Sequence, residues 1–100
     1  MDLTSIQTTI SEHRRELASF GIRRVGIFGS TALGTATPKS DIDVLLDFDP
    51  QKKTYRNFLG GTAYLESLLD RPVDPVTPQA LSPHIRPSVE RDITYVQISD

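Results

Sequence analysis

Between residues 29 and 46 the sequence reads GSTALGTATPKSDIDVLL, in which ten residues separate Gly29-Ser30 from Asp41-Ile42-Asp43. On an extended strand residues two apart project from the same face, so Asp41 and Asp43 present paired carboxylates. Two such charges repel unless one is protonated or a cation lies between them, and hard oxygen ligands of this kind suit Mg²⁺ or Mn²⁺. Upstream, a glycine permits close approach of the backbone to a ligand, and amides at a helix N-terminus favour an anion. Gly29 and Ser30 are therefore candidates to hold the phosphates of a nucleotide, with the Ser30 hydroxyl as a further donor. A phosphate cradle beside a metal-binding carboxylate pair is what nucleotidyl or phosphoryl transfer requires.

These groups need a scaffold that aims them at one place. Leu3, Ile6, Ile10, Leu17 and Phe20 trace one apolar face of a helix over the first twenty residues, capped by Thr4 or Ser5 and ended by Gly21. Residues 23–28 (RRVGIF) read as a short strand that runs into the Gly29-Ser30 turn and a small-residue helix over 31–34. After a loop containing Pro38, DIDVLLDF (41–48) has the composition of a largely buried strand with acidic residues at both ends. Tyr55, Phe58, Leu59, Thr62, Leu65 and Leu69 mark a second helix over 54–69, which Gly60-Gly61 should weaken or bend. PVDPV (72–76) reads as a strand whose Pro75 places it at a sheet edge or leaves that position unpaired. Thr77-Pro78 and Ser82-Pro83 predict two short helical pieces, the second distorted by Pro87, and ITYVQI (93–98) closes the sheet. The alternation predicts one α/β domain over residues 1–100, a small sheet packed against helices, with a strand order that does not follow from sequence.

Composition narrows the chemistry. Eleven basic and thirteen acidic residues leave a net charge of −2 with no long run of either sign, which disfavours nucleic acid as the direct substrate. The absence of cysteine excludes thiol nucleophiles and thiolate metal sites, and two histidines disfavour a zinc centre built on His. No signal-peptide pattern opens the chain and no apolar stretch could span a membrane, so a cytoplasmic location is expected. One hundred residues suffice for one core but not for a separate substrate domain, so the acceptor must be small or brought by a partner. The remaining polar clusters read as structural. Asp47 and Asp49 form a solvated turn before Pro50, while Arg23, Arg24, Lys52, Lys53 and Arg56 lie on solvated faces. His13 and His84 stand outside the chemistry, and Ser40 orders the turn ahead of Asp41.

With this spacing, GSTALGTATPKSDID resembles the G-S-x10-D-x-D signature of the DNA polymerase β-like nucleotidyltransferase superfamily. The chain is most similar to the minimal nucleotidyltransferase (MNT) antitoxins of HEPN/MNT toxin–antitoxin modules. The helix before the motif, Val73-Asp74 and the ending TPQALSPHIRPSVERDITYV carry that resemblance along nearly all of the sequence. It implies a nucleotidyltransferase fold with a mixed sheet, ATP as donor with its phosphates against Gly29 and Ser30, and two Mg²⁺ ions, or Mn²⁺. Asp41 and Asp43 would hold the metals, and Asp74 would be the third carboxylate, binding one ion and helping to deprotonate the attacking hydroxyl. The implied reaction transfers AMP to a hydroxyl, that of a tyrosine, on a cognate HEPN ribonuclease toxin within a hetero-oligomer, and so neutralises the toxin. One departure stands out: similar sequences often read G-S-x-A-R-G, whereas Leu33 occupies the arginine position here. It keeps open an antitoxin of weak catalysis that neutralises the toxin by direct binding. A transferase acting on a small molecule would normally need a further domain.

Overall fold

A computed structural model describes residues 2–99. Helix α1 (Leu3–Glu12) is capped by Asp2, whose carboxylate accepts the Ser5 N–H at 2.8 Å, and not by Thr4 or Ser5. The single N-terminal helix expected from the apolar spacing is two. The backbone leaves helical geometry at His13 (φ −112°, ψ 22°), whose N–H turns back to the Ile10 carbonyl, and α2 (Arg14–Ser19) restarts beyond it. The apolar spacing survives the break, since Ile6, Ile10 and Leu17 are all fully buried. Gly21, at φ +84°, stops α2 as its position suggested.

The chain continues through β1 (Ile22–Phe28), α3 (Gly29–Leu33), β2 (Ile42–Phe48), a 3₁₀ turn (Pro50–Lys52) and α4 (Tyr55–Leu69). It ends with β3 (Val73–Val76), a second 3₁₀ turn (Pro78–Ala80), α5 (Arg86–Asp92) and β4 (Thr94–Gln97). The sheet has the order β3-β2-β1-β4, with β1 antiparallel to both β2 and β4 and with β2 and β3 parallel. It is the small mixed sheet that the family resemblance implied. Pro75 lies on the edge strand β3, where a missing backbone donor leaves no ladder bond unmade on the open side.

Strand alternation divides the sheet into two faces. Val25, Ile27, Ile42, Val44, Leu46, Val73 and Val96 pack with Ile6, Ile10, Leu17, Leu65 and Leu69 into the main core under α1, α2 and α4. The opposite face carries a smaller cluster of Leu45, Leu81 and Val89 with Phe28, Val76 and Ile93, beneath the second 3₁₀ turn and α5. Asp43 and Asp74 precede Leu45 and Val76 by two residues and so belong to this thinly covered face.

Two expectations change with the packing. Helix α4 runs unbroken through Gly60-Gly61, because those glycines receive the Phe20 ring and the Ile22 side chain; a Cβ on Gly60 would lie 2.8 Å from Phe20 Cε1. The second Pro-initiated piece begins at Arg86 and not at Ser82-Pro83. Pro87 falls in the first turn of α5, where its missing N–H breaks no helical bond, so it starts the helix and does not distort it.

Candidate active site

Three chain segments reach one end of the sheet. Parallel pairing sets Ile42 beside Val73 and Asp43 beside Asp74, so each aspartate is the second residue of its strand and the two are neighbours across the ladder. Because β1 runs antiparallel to β2, its last residue, Phe28, pairs with Asp43, and Gly29 emerges directly over that carboxylate. Gly29 has φ +70°, and a Cβ at this position would overlap Asp43 Oδ2. Only glycine lets the backbone bend there and lie so close to the acid. No side chain caps α3, whose opposite end is closed by Gly34 at φ +75° and by the Thr35 N–H to Ser30 carbonyl bond at 2.9 Å.

The electrostatics follow from this crowding. Burial pushes the Asp43 carboxyl above its ordinary value, and the charges of Asp74 and then Asp41 push in the same direction. No Lys or Arg among the described residues forms an ion pair with Asp41, Asp43 or Asp74. The cluster thus holds uncompensated negative charge on hard oxygen atoms, a donor set that fits a divalent cation. Asp41 is the outlying member: it is exposed and lies one residue before β2, beyond the ladder that fixes Asp43. As they stand, no three His, Cys, Asp or Glu side chains among the described residues converge tightly enough to enclose a metal.

The other polar clusters lie elsewhere. Asp47 is part of β2 and not of the turn expected for it, because Arg24 Nε reaches its carboxylate at 2.9 Å and the same guanidinium lies 3.9 Å over the Tyr95 ring. Arg24 is therefore engaged and not merely solvated. Asp49 caps the first 3₁₀ turn through the Gln51 N–H, as a turn aspartate should. Ser40 orders its turn as expected, its Oγ accepting the Thr37 N–H at 3.0 Å.

Two residues near the site escape a reading of the sequence. Glu66 on α4 accepts the Val73 N–H at 3.0 Å, which fixes the start of the strand that carries Asp74. Arg71 donates from one terminal nitrogen to the carbonyls of Thr37, at 3.1 Å, and of Ser40. The available signal was a cation set between a helix end and Pro72-Val73-Asp74, in a segment too short to leave it wholly in solvent.

Residues 10–96 match the nucleotidyltransferase domain family. Over 97 residues, 96% of this chain and 97% of its relative, the sequence is 36% identical to the protein adenylyltransferase MntA of Thermococcus cleftensis. A solved structure assigned as a minimal nucleotidyltransferase superposes with a TM-score of 0.74 at 33% identity, covering 94% of this chain and 95% of that one. The same fold recurs, with a TM-score of 0.61 and 18% identity, in the complex of a tri-AMPylated Shewanella oneidensis HEPN toxin with its MNT antitoxin, over 90% of this chain and 71% of that one.

Proposed function

Because the chain belongs to the nucleotidyltransferase domain family, we propose that it is an antitoxin that transfers AMP from ATP to a tyrosine hydroxyl of a partner HEPN ribonuclease toxin and so silences it. The observation that carries this reading is the placement of Asp43 beside Asp74 at the start of parallel strands, with the Gly29 backbone laid against Asp43. The adenylyltransferase relative from Thermococcus cleftensis supports the reaction, and the AMPylated toxin held by an antitoxin of the same fold supports the acceptor.

Asp41, Asp43 and Asp74 would hold Mg²⁺, with Mn²⁺ as an alternative, in a two-ion arrangement. Such ions, when bound, neutralise the carboxylates and polarise the phosphoryl oxygens. The chain itself supplies orientation and proton transfer. Backbone amides at Gly29 and Ser30 and the Ser30 hydroxyl donate to phosphate oxygens, in the position where α3 lacks a side-chain cap. Asp74, exposed on the edge strand, accepts the proton of the incoming hydroxyl on a carboxylate oxygen. The hydroxyl oxygen then bonds to the α-phosphorus as the bond to pyrophosphate breaks. An acceptor on another chain requires an open site, and exposure of Asp41 and Asp74 provides one. By the same reading the chain works in the cytoplasm and on protein, not nucleic acid; no helix among the described residues is long and apolar enough to cross a membrane. ATP labelled at the α-phosphate should pass its label to the partner, and ATP labelled at the γ-phosphate should not. Transfer from the γ position instead would replace this reaction with phosphorylation.

Leu33 favours a second reading. It is 59% exposed and sets an apolar side chain at the position where the signature it resembles often has arginine, as suits an antitoxin that blocks its toxin by contact. A folded Asp41→Ala/Asp43→Ala chain that still neutralises the toxin would support contact; loss of neutralisation supports chemistry.

A further inference from the structure

Asp41 lies just outside β2, so the ladder that fixes Asp43 and Asp74 does not fix it. The nearest backbone restraint is the bond from the Ile42 N–H to the Pro72 carbonyl at 3.0 Å, which adjoins Arg71. The segment leading into Asp41 is a compact turn. Ser40 N–H binds the Thr37 carbonyl at 2.9 Å, Ser40 Oγ accepts the Thr37 N–H, and Thr37 Oγ1 accepts the Lys39 N–H at 3.3 Å. A turn that binds only itself can swing as a unit, and something outside it must hold its carbonyls.

Arg71 does so. Its terminal nitrogen donates to both Thr37 and Ser40 carbonyls, and its Nε is buried without a hydrogen-bond partner among the described residues, so these two bonds are what hold the guanidinium in place. Among the described residues it is the one side chain from beyond this loop that is hydrogen-bonded to residues 35–41. Arg71 also precedes Asp74 by three residues, so a single guanidinium ties the approach to Asp41 to the approach to Asp74. It makes no ion pair with any of the three carboxylates, so its charge is directed to backbone carbonyls and not to the acids. Charged donors to neutral acceptors make stronger bonds than neutral ones, which suits a clamp on an otherwise free loop.

We propose that Arg71 is a positioning residue for adenylyl transfer, setting Asp41 in place against Asp43 and Asp74; the inference rests on the function proposed above. Displacement of a reacting or metal-binding group by about 1 Å can cost on the order of 100-fold in rate. Loss of an outer hydrogen bond that orients a ligand typically costs about 10- to 100-fold in metal affinity or activity.

The test compares wild type, Arg71→Met, Arg71→Lys and Ser40→Ala as full chains acting on the partner. Arg71→Met is expected to lower kcat about 30-fold and raise the half-maximal Mg²⁺ concentration about 10-fold, with the KM for ATP within about 3-fold of wild type. Arg71→Lys, which retains a charged donor, should recover part of both losses. Amide exchange at Ser40 and Ile42 should quicken in Arg71→Met while Ile27 in β1 stays unchanged. Should Arg71→Met fail to fold, Ser40→Ala carries the test, because it loosens the same turn without touching Arg71 and should displace the Mg²⁺ dependence in the same direction. Arg71→Met with kcat and Mg²⁺ dependence within about 2-fold of wild type overturns the inference, as does an Arg71→Lys no better than Arg71→Met. A wild-type chain that transfers no AMP overturns the functional reading and the inference together; an active wild type with an indifferent Arg71→Met overturns the inference alone.

Discussion

Asp43 and Asp74 stand side by side across the parallel β2–β3 ladder, and burial together with the neighbouring charge holds the Asp43 carboxyl above its ordinary value. A raised folded value has a defined sign. Below the ordinary carboxylate range Asp43 is protonated in both states, and its contribution to stability is fully present. As the pH rises the unfolded chain gives up the proton first, so stability is lost as the pH climbs through the raised folded value. Asp43 therefore costs the metal-free protein stability at neutral pH. Asp43→Asn removes that cost: allowing for solvent screening, the metal-free variant should melt about 1–3 °C above wild type at pH 7 and show a flatter decline with pH. An Asp43→Asn chain that melts below wild type at neutral pH, with its fold intact, would contradict the crowding.

Gly29→Ala tests the approach of backbone to acid. The left-handed conformation alone costs a side chain roughly 1–2 kcal/mol. The added Cβ would also meet Asp43 Oδ2, so the loop must retreat from the carboxylate. Urea unfolding should show destabilisation of that order, and the thermal shift produced by Mg²⁺ and ATP should vanish. Retention of that shift at wild-type nucleotide concentrations would separate Gly29 from the nucleotide.

Asp47 and Asp49 also make an Asp-x-Asp, and their different setting yields a different expectation. One is paired with Arg24 and the other caps a 3₁₀ turn, both at the end of β2 opposite to Asp43. Asp47→Asn/Asp49→Asn should lose about 1 kcal/mol of stability at most, from the half-buried ion pair with Arg24, because an asparagine at 49 still offers a capping oxygen to the Gln51 N–H. It should keep the Mg²⁺-ATP thermal shift. A lost shift in a folded double variant would move the metal site along β2.

The two glycines of α4 should behave differently from each other. Glycine to alanine inside a helix normally gains about 1 kcal/mol. At Gly60 the new methyl would press on the Phe20 ring at 2.8 Å, so Gly60→Ala should destabilise by roughly 1–2 kcal/mol. At Gly61 the nearest atom is the end of the flexible Ile22 side chain at 3.0 Å, so Gly61→Ala should fall within about 1 kcal/mol of wild type. Chemical denaturation of the two variants measures the contrast, and equal effects would mean that Phe20 does not seat on Gly60.

What was legible in the sequence was what local chemistry determines. The apolar run within residues 41–48 announced a buried strand, Pro75 announced an edge or an unpaired position, and the joint spacing of Gly29-Ser30 and Asp41/Asp43 announced a candidate site. What was not legible depends on partners distant in sequence. Gly60-Gly61 looked like a weakness because Phe20 and Ile22 lie some forty residues away, and the break at His13 leaves the apolar spacing intact on both sides. Arg71 went unnoticed for the same reason: its meaning lies in the carbonyls of Thr37 and Ser40, which composition does not mark. Proximity of Asp74 to Asp43 required the strand order, which only the parallel pairing supplies.

The most direct measurement of AMP transfer is the intact mass of the partner toxin after incubation with this chain, ATP and Mg²⁺, alongside an Asp43→Asn control. The expected result is one or more AMP additions on the toxin with wild type, none with the variant, and a matching loss of ribonuclease activity. An unmodified toxin that is nevertheless silenced equally by wild type and Asp43→Asn would contradict transfer and leave contact as the mode of neutralisation.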